Sequence, residues 1–173
     1  MSKIIRAWHF TGPTLRGGRP IPSVGEWLVH EGSVTMCKSG LHASRRLLDA
    51  AKYAPGLTLH RVVCADLVEE QEDKLLCRRR RIVATLPPAR VEVILQWWAR
   101  VCAYTVIDRW AAPEIVRQWL LTGDPSIRSA AHAAASAASA AAYAAYAASA
   151  AAYAREVYST ELERRVLAEM RVK

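Results

Sequence analysis

The sequence predicts an α+β protein: a small N-terminal, mostly antiparallel sheet carrying one helix (residues 1–86), followed by an all-α, Ala-rich module (residues 87–173). Three observations carry that prediction. Up to residue 86 the apolar residues fall in short runs between turns containing Gly and Pro, the pattern of strands. Beyond Pro87-Pro88 they recur at spacings of three and four, the pattern of buried helix faces. From Ser129 to Ala154 almost every residue is Ala, the strongest intrinsic helix former.

Lys3 to Phe10 has strand composition and ends at the turn Thr11-Gly12-Pro13, which puts His9 near the end of the first strand. After a loop rich in Gly and Pro, Glu26–His30 and Ser33–Met36 read as two short strands around Glu31-Gly32. The stretch from Cys37 to Tyr53 holds a turn and a helix start. Ser44 is the expected N-cap, Leu47, Leu48, Ala51 and Ala54 the apolar stripe, and Pro55-Gly56 the stop. Leu57 to Leu67 alternates well enough to be an inner strand. An acidic turn, Glu69 to Asp73, leads to a second long strand, Lys74 to Leu86, with Arg78, Arg79, Arg80 and Arg81 in its middle. Strand side chains alternate, so this run offers two guanidinium groups to each face. A solvated edge strand is the expected setting, and contact with nucleic acid or an acidic partner the alternative use.

In the second half, Val91, Ile94, Leu95, Trp98, Val101 and Cys102 form one helix face. Pro113 opens a short helix that Gly123 closes, and Asp124-Pro125 opens the next. In the Ala tract, His132, Ser136, Ser139, Tyr143, Tyr146, Ser149 and Tyr153 recur at three and four, so the larger side chains share one edge of a slim rod over about residues 125–158. His132, Tyr143, Tyr146 and Tyr153 are the candidate partner interface, with a second copy of the chain as one occupant. Thr160-x-x-Glu163 has the form of a capping box and predicts a break near Tyr158.

The chain carries a formal charge of +8, and 19 of its 24 basic residues are Arg, which favours an acidic protein or nucleoprotein as partner. Cys37, Cys64, Cys77 and Cys102 are too far apart for a metal or redox motif and read as reduced, mostly buried thiols of a cytoplasmic protein. No secretory signal is expected, and an Ala tract broken by Ser, His and Tyr is too polar to favour a membrane span. No Gly-rich phosphate loop, zinc-protease helix or serine-nucleophile motif occurs, and no metal or other cofactor is expected. The best site candidate is His42, ahead of a helix start with Ser44, Arg45 and Arg46. Free N–H groups and two guanidiniums there would hold a phosphate or carboxylate.

Gly40-Leu-His-Ala-Ser44, followed by Asp49, Tyr53, a strand and Asp73-Lys74, resembles an uncharacterised domain common in tailed phages and prophages. The resemblance spans about residues 3–86, and the Ala-rich tail is similar in composition. It implies a phage-type intracellular accessory protein, non-catalytic, that binds a host or defence-system macromolecule. A second likeness is to the NAD-gripping half of ADP-ribosyltransferases, carried by Trp8-His9, by Gly40-Leu-His and by Tyr53. It implies NAD as cofactor and His9, His42 and Tyr53 as the residues framing it. Those enzymes also use a Glu on a late strand, and here Glu92 falls in a region that reads as helix.

Overall fold

A computed structural model of the chain describes residues 4–138 and 143–170, with the backbone alone at Ala138 and over 143–151. The protein is of the α+β class, an N-terminal antiparallel sheet followed by helices. Its strands are β1 (Ile5–Thr11), β2 (Trp27–Val29), β3 (Leu41–Ala43), β4 (Thr58–Glu70) and β5 (Leu75–Leu86), with a single turn of helix, α1 (Leu47–Ala51), between β3 and β4. The helices that follow are α2 (Pro88–Tyr104), α3 (Glu114–Thr122), α4 (Arg128–Ala138) and α5 (Tyr143–Glu169). Two compact units result, Met1–Glu92 with Glu163–Lys173, and Val93–Leu162.

In the first unit β4 lies between β1 and β5, as its apolar run predicts, and from Leu59 to Ala65 every residue but the half-buried Arg61 is buried. A bulge near Asp66, whose φ is 54°, lets the far end of the strand turn outward, so Leu67 is exposed. β5 is not the edge strand the Arg run led us to expect. β4 pairs along one side of it, while β3 lies against Leu75–Cys77 and β2 against Arg79–Arg81 on the other. β2 lies within the strand expected over Glu26–His30, whereas β3 lies in the stretch that reads as a turn and helix start; together they cover that edge.

The sheet then curls onto itself. Trp8 N–H donates to Ser44 O (2.7 Å) and Ser44 N–H donates to Trp8 O (2.9 Å), joining β1 to the end of β3. Ile5, Ala7, Leu41, Ala43, Val62, Cys64, Leu75, Cys77 and Ile82 fill the interior of this curl. The same bridge explains why Ser44 does not cap α1: its backbone belongs to the seam and its side chain is buried. Arg46 occupies the cap position, and the Leu47 N–H is instead accepted by the Glu163 carboxylate of α5 at 2.8 Å. Glu163 is therefore not the inward member of a capping box, and α5 runs through Thr160 without the break expected near Tyr158. Ser33–Met36 is likewise no strand. Thr35 N–H donates back to Ser39 O (3.1 Å), closing a tight turn in which Cys37 has φ 64°.

Glu163→Ala would leave the Leu47 N–H without an acceptor in a part-buried place. We expect it to lower stability by about 1–3 kcal/mol and to speed hydrogen exchange at the Leu47 amide, read by urea titration and by NMR.

The second unit packs Ile107, Val116, Leu120 and Ala131 together beneath Tyr104, Trp110 and Trp119. Gly123 ends α3 in a left-handed conformation, φ 69°, with its N–H donating to Trp119 O at 2.8 Å. Asp124 accepts from Ser126 N–H (2.8 Å) and opens the turn leading into α4. Among the described residues no helix is long and apolar enough to cross a membrane.

Candidate functional site

Beside the β1–β3 seam lies a cavity of about 290 Å³. β1 contributes Trp8, His9 and Phe10 to its wall, and β3 and the residue after it contribute His42, Ala43 and Ser44. Tyr53 comes from the turn after α1, Arg16 from the first loop, Cys37 from the tight turn, and Lys74 from just ahead of β5. Residues far apart in sequence meet here because the seam brings the ends of β1 and β3 together.

Both imidazoles in the wall are neutral at pH 7. Burial lowers the pKa of His42, reinforced by the charges of Arg80, Lys74 and Arg16. Its Nε2 accepts from Cys37 N–H at 3.1 Å, which puts the ring proton on Nδ1. His9 is driven well below the usual histidine range, first by burial, then by Arg80, His60 and His42. Among the described residues the His9 ring has no hydrogen-bond partner, so it carries one unused donor and one unused acceptor.

The charge behind this wall is Arg80. Its side chain is buried, donates to the His42 carbonyl, and has no ion-pair partner among the described residues. The acidic groups that favour its charge are the neighbouring Cys64 and Cys77 thiols, and burial lowers its pKa. A buried cation without a carboxylate costs several kcal/mol and makes the space around it attractive to anions. Lys74 and Arg16 add to that field. Lys74 Nζ lies 4.1 Å from the Tyr53 ring centre and 3.4 Å from Cys37 Sγ, and Arg16 donates to the Cys37 carbonyl at 3.3 Å. The Tyr53 hydroxyl donates to Asp73 (2.6 Å), which fixes the ring at the wall.

The structure thus gathers His9, His42 and Tyr53 in one pocket. Of His42, Ser44, Arg45 and Arg46, only the first two line it. Arg45 pairs with Glu70, Arg46 donates to Asp49 at 2.6 Å, and neither lines the cavity. In the Arg run the alternation holds: Arg79 and Arg81 stack on Trp27, at 4.6 and 4.9 Å from its ring centre, while Arg78 donates to Gly32 O and Arg80 turns inward. Of the interface residues foreseen on the Ala-rich rod, His132 stacks at a tilt on Trp119 with ring centres 5.1 Å apart, and Tyr153 is exposed. The side chains of Tyr143 and Tyr146 lie outside the described residues. Sequence reasoning missed Arg16, Cys37 and Lys74 as pocket residues, and Arg80 as the charge behind its wall. Only Lys74 carried a signal, as part of Asp73-Lys74.

His60, inside the sheet, shares the histidine behaviour. Held between Thr11 Oγ1 and Thr85 Oγ1, each at 2.9 Å, it is lowered by burial and by Arg80 to a pKa of about 4. Well above pH 6.5, the ordinary histidine value, His9, His42 and His60 are neutral folded or unfolded, and stability owes them no pH dependence. Below it the unfolded chain takes up protons that the folded chain refuses. We therefore expect the urea midpoint to fall steadily from pH 6.5 towards 4, with His60→Gln flattening part of that slope.

Fold and site together define a small α+β domain whose antiparallel sheet closes at a seam beside a basic, imidazole-lined pocket. Residues 5–93 match the family model described as Domain of unknown function (DUF7666), and the chain belongs to that family. No curated protein and no solved structure matches it.

Proposed function

We propose that the protein is an accessory protein of the phage and prophage type that acts in the host-cell cytoplasm by binding, and that the seam pocket takes a small anionic ligand. The observation behind this is Arg80, a buried guanidinium with no carboxylate partner among the described residues, behind the wall of a cavity that Arg16 and Lys74 line. Neutral His9 and His42 supply hydrogen bonds that do not compete with the anion for a proton, and Tyr53 and Phe10 offer flat apolar surface. Calorimetry with ADP and with pyrophosphate at low salt tests it. Saturating heats that weaken with salt and vanish in Lys74→Met support binding; no heat from either probe counts against it.

A second reading, ADP-ribosyl transfer from NAD, draws on His9, His42 and Tyr53 lining one pocket. It requires NAD binding that His9→Ala abolishes and release of nicotinamide over time. The striped edge of the Ala-rich helices is the proposed contact for an acidic partner or a second copy. Light scattering that finds a monomer at all concentrations would remove the second copy.

A further inference from the structure

The turn that carries Cys37 sets its thiol at the wall of the seam pocket. Cys37 sits at φ 64°, a left-handed conformation in which a Cys is strained, and the turn that imposes it is braced by Ser39. Ser39 Oγ accepts from Thr35 N–H (3.0 Å) and donates to Ser33 O (2.9 Å). Each polar group of Cys37 then meets a different pocket residue: its N–H meets His42 at 3.1 Å, its carbonyl Arg16 at 3.3 Å, and its Sγ Lys74 at 3.4 Å. It is also the exposed one of the four cysteines; Cys64 and Cys77 are buried and Cys102 is half-buried. A thiol held this way at the wall of a cation-lined pocket is positioned against whatever the pocket draws in. His9, across the same cavity, has a donor and an acceptor that no described residue uses, the pair that matches an amide.

We propose that Cys37 captures small anionic peptide disulfides of the glutathione class, forming a mixed disulfide within the pocket. The inference rests on the pocket's taking anions and adds the class of ligand and the bond it forms. Carboxylates of the ligand meet Arg16 and Lys74, and one of its amides meets His9. The Cys37 thiolate attacks one sulfur of the disulfide in line. A new S–S bond forms as the old one breaks, and the electron pair leaves on the departing thiolate, which takes a proton from water. Cys37 is oxidised, the released half of the disulfide is reduced, and no other reactant is needed. Lys74 offers its N–H to the attacking sulfur and draws in the ligand's charge.

The test is the rate of adduct formation on the full-length protein with oxidised glutathione and with the uncharged 2-hydroxyethyl disulfide. It is followed by intact mass and located by peptide mapping, with a free peptide of residues 33–41 as reference. The charged disulfide should modify Cys37 faster than the uncharged one by about tenfold beyond the peptide's own ratio, the size of effect that nearby cations supply. Lys74→Met and Arg16→Met should return that ratio to the peptide's, and Cys37→Ser should leave no adduct at the turn. A ratio equal to the peptide's, or an adduct mainly at Cys102, overturns the proposal. Cys37→Ser also separates the two ideas: if it still binds ADP while the wild type shows no charge preference, the capture fails and the anion pocket stands. If neither form binds ADP, the pocket reading fails first.

Discussion

Arg80→Met should unfold at a higher urea concentration than the wild type and yet bind ADP at least tenfold more weakly. Both effects follow from one guanidinium, buried at 6% exposure and without an ion-pair partner among the described residues. Taking a cation out of water costs several kcal/mol, and replacing such a group by an apolar side chain of similar length is often stabilising. The loss of its bond to the His42 carbonyl offsets about 1 kcal/mol, so the net gain should be on the order of 1–2 kcal/mol. The loss of affinity reflects the charge that the pocket no longer feels. Because Arg80 also helps hold His9, His42 and His60 neutral, their titrations should all move upward in the variant. A variant less stable than the wild type, binding ADP equally well, would mean that Arg80 is a structural brace and no source of the pocket's field.

Gly40→Ala is expected to be the most damaging single substitution in the sheet. At φ 104° an L residue is strained, and an added Cβ would fall 2.3 Å from Val34 Cγ1 and 2.5 Å from Leu76 Cδ1. Leu76 is fully buried, so its side chain has little room to move aside. Strain and overpacking together should lower stability by about 3–5 kcal/mol, enough to leave much of the chain unfolded. Gly32→Ala is the control. It has a similar φ, 99°, but open space around the new methyl group, so only the backbone term of about 1–2 kcal/mol should remain. Equal losses in the two would show that the close approach at Gly40 is not what requires a glycine there.

These residues show what could be read in the sequence and what could not. The long strands, the change at Pro87-Pro88, the glycine that ends α3 and the Asp-Pro start after it were local signals, written in residues adjacent to the feature they set. The importance of Gly40-Leu-His-Ala-Ser44 was visible, but its physical reason was not. Gly40 answers to Val34 and Leu76, and Ser44 answers to Trp8. Misreadings arose where a distant partner overrode a local preference. Ser44 had a good N-cap side chain, but the seam claimed its backbone, and Glu163, 116 residues beyond Leu47, accepts the Leu47 N–H instead. The Arg run looked like a charged edge because β3 is hidden in a stretch that reads as a turn and helix start, and nothing local says that the strand foreseen at Glu26–His30 pairs with Arg79–Arg81; so Arg80 could not be told apart from its three neighbours. His9, His42 and Tyr53 were named together only through a family likeness; that they share one cavity depends on the closure of the sheet.

Whether an anion enters the cavity at the seam is reported directly by the imidazoles in its wall. In long-range ¹H–¹⁵N spectra recorded during an ADP titration, His9 and His42 should shift along one saturating curve, while His30 and His132, which do not line the cavity, stay still. If His9 and His42 do not move while ADP is added to excess, or if all the histidines drift together without saturation, the pocket is not a binding site.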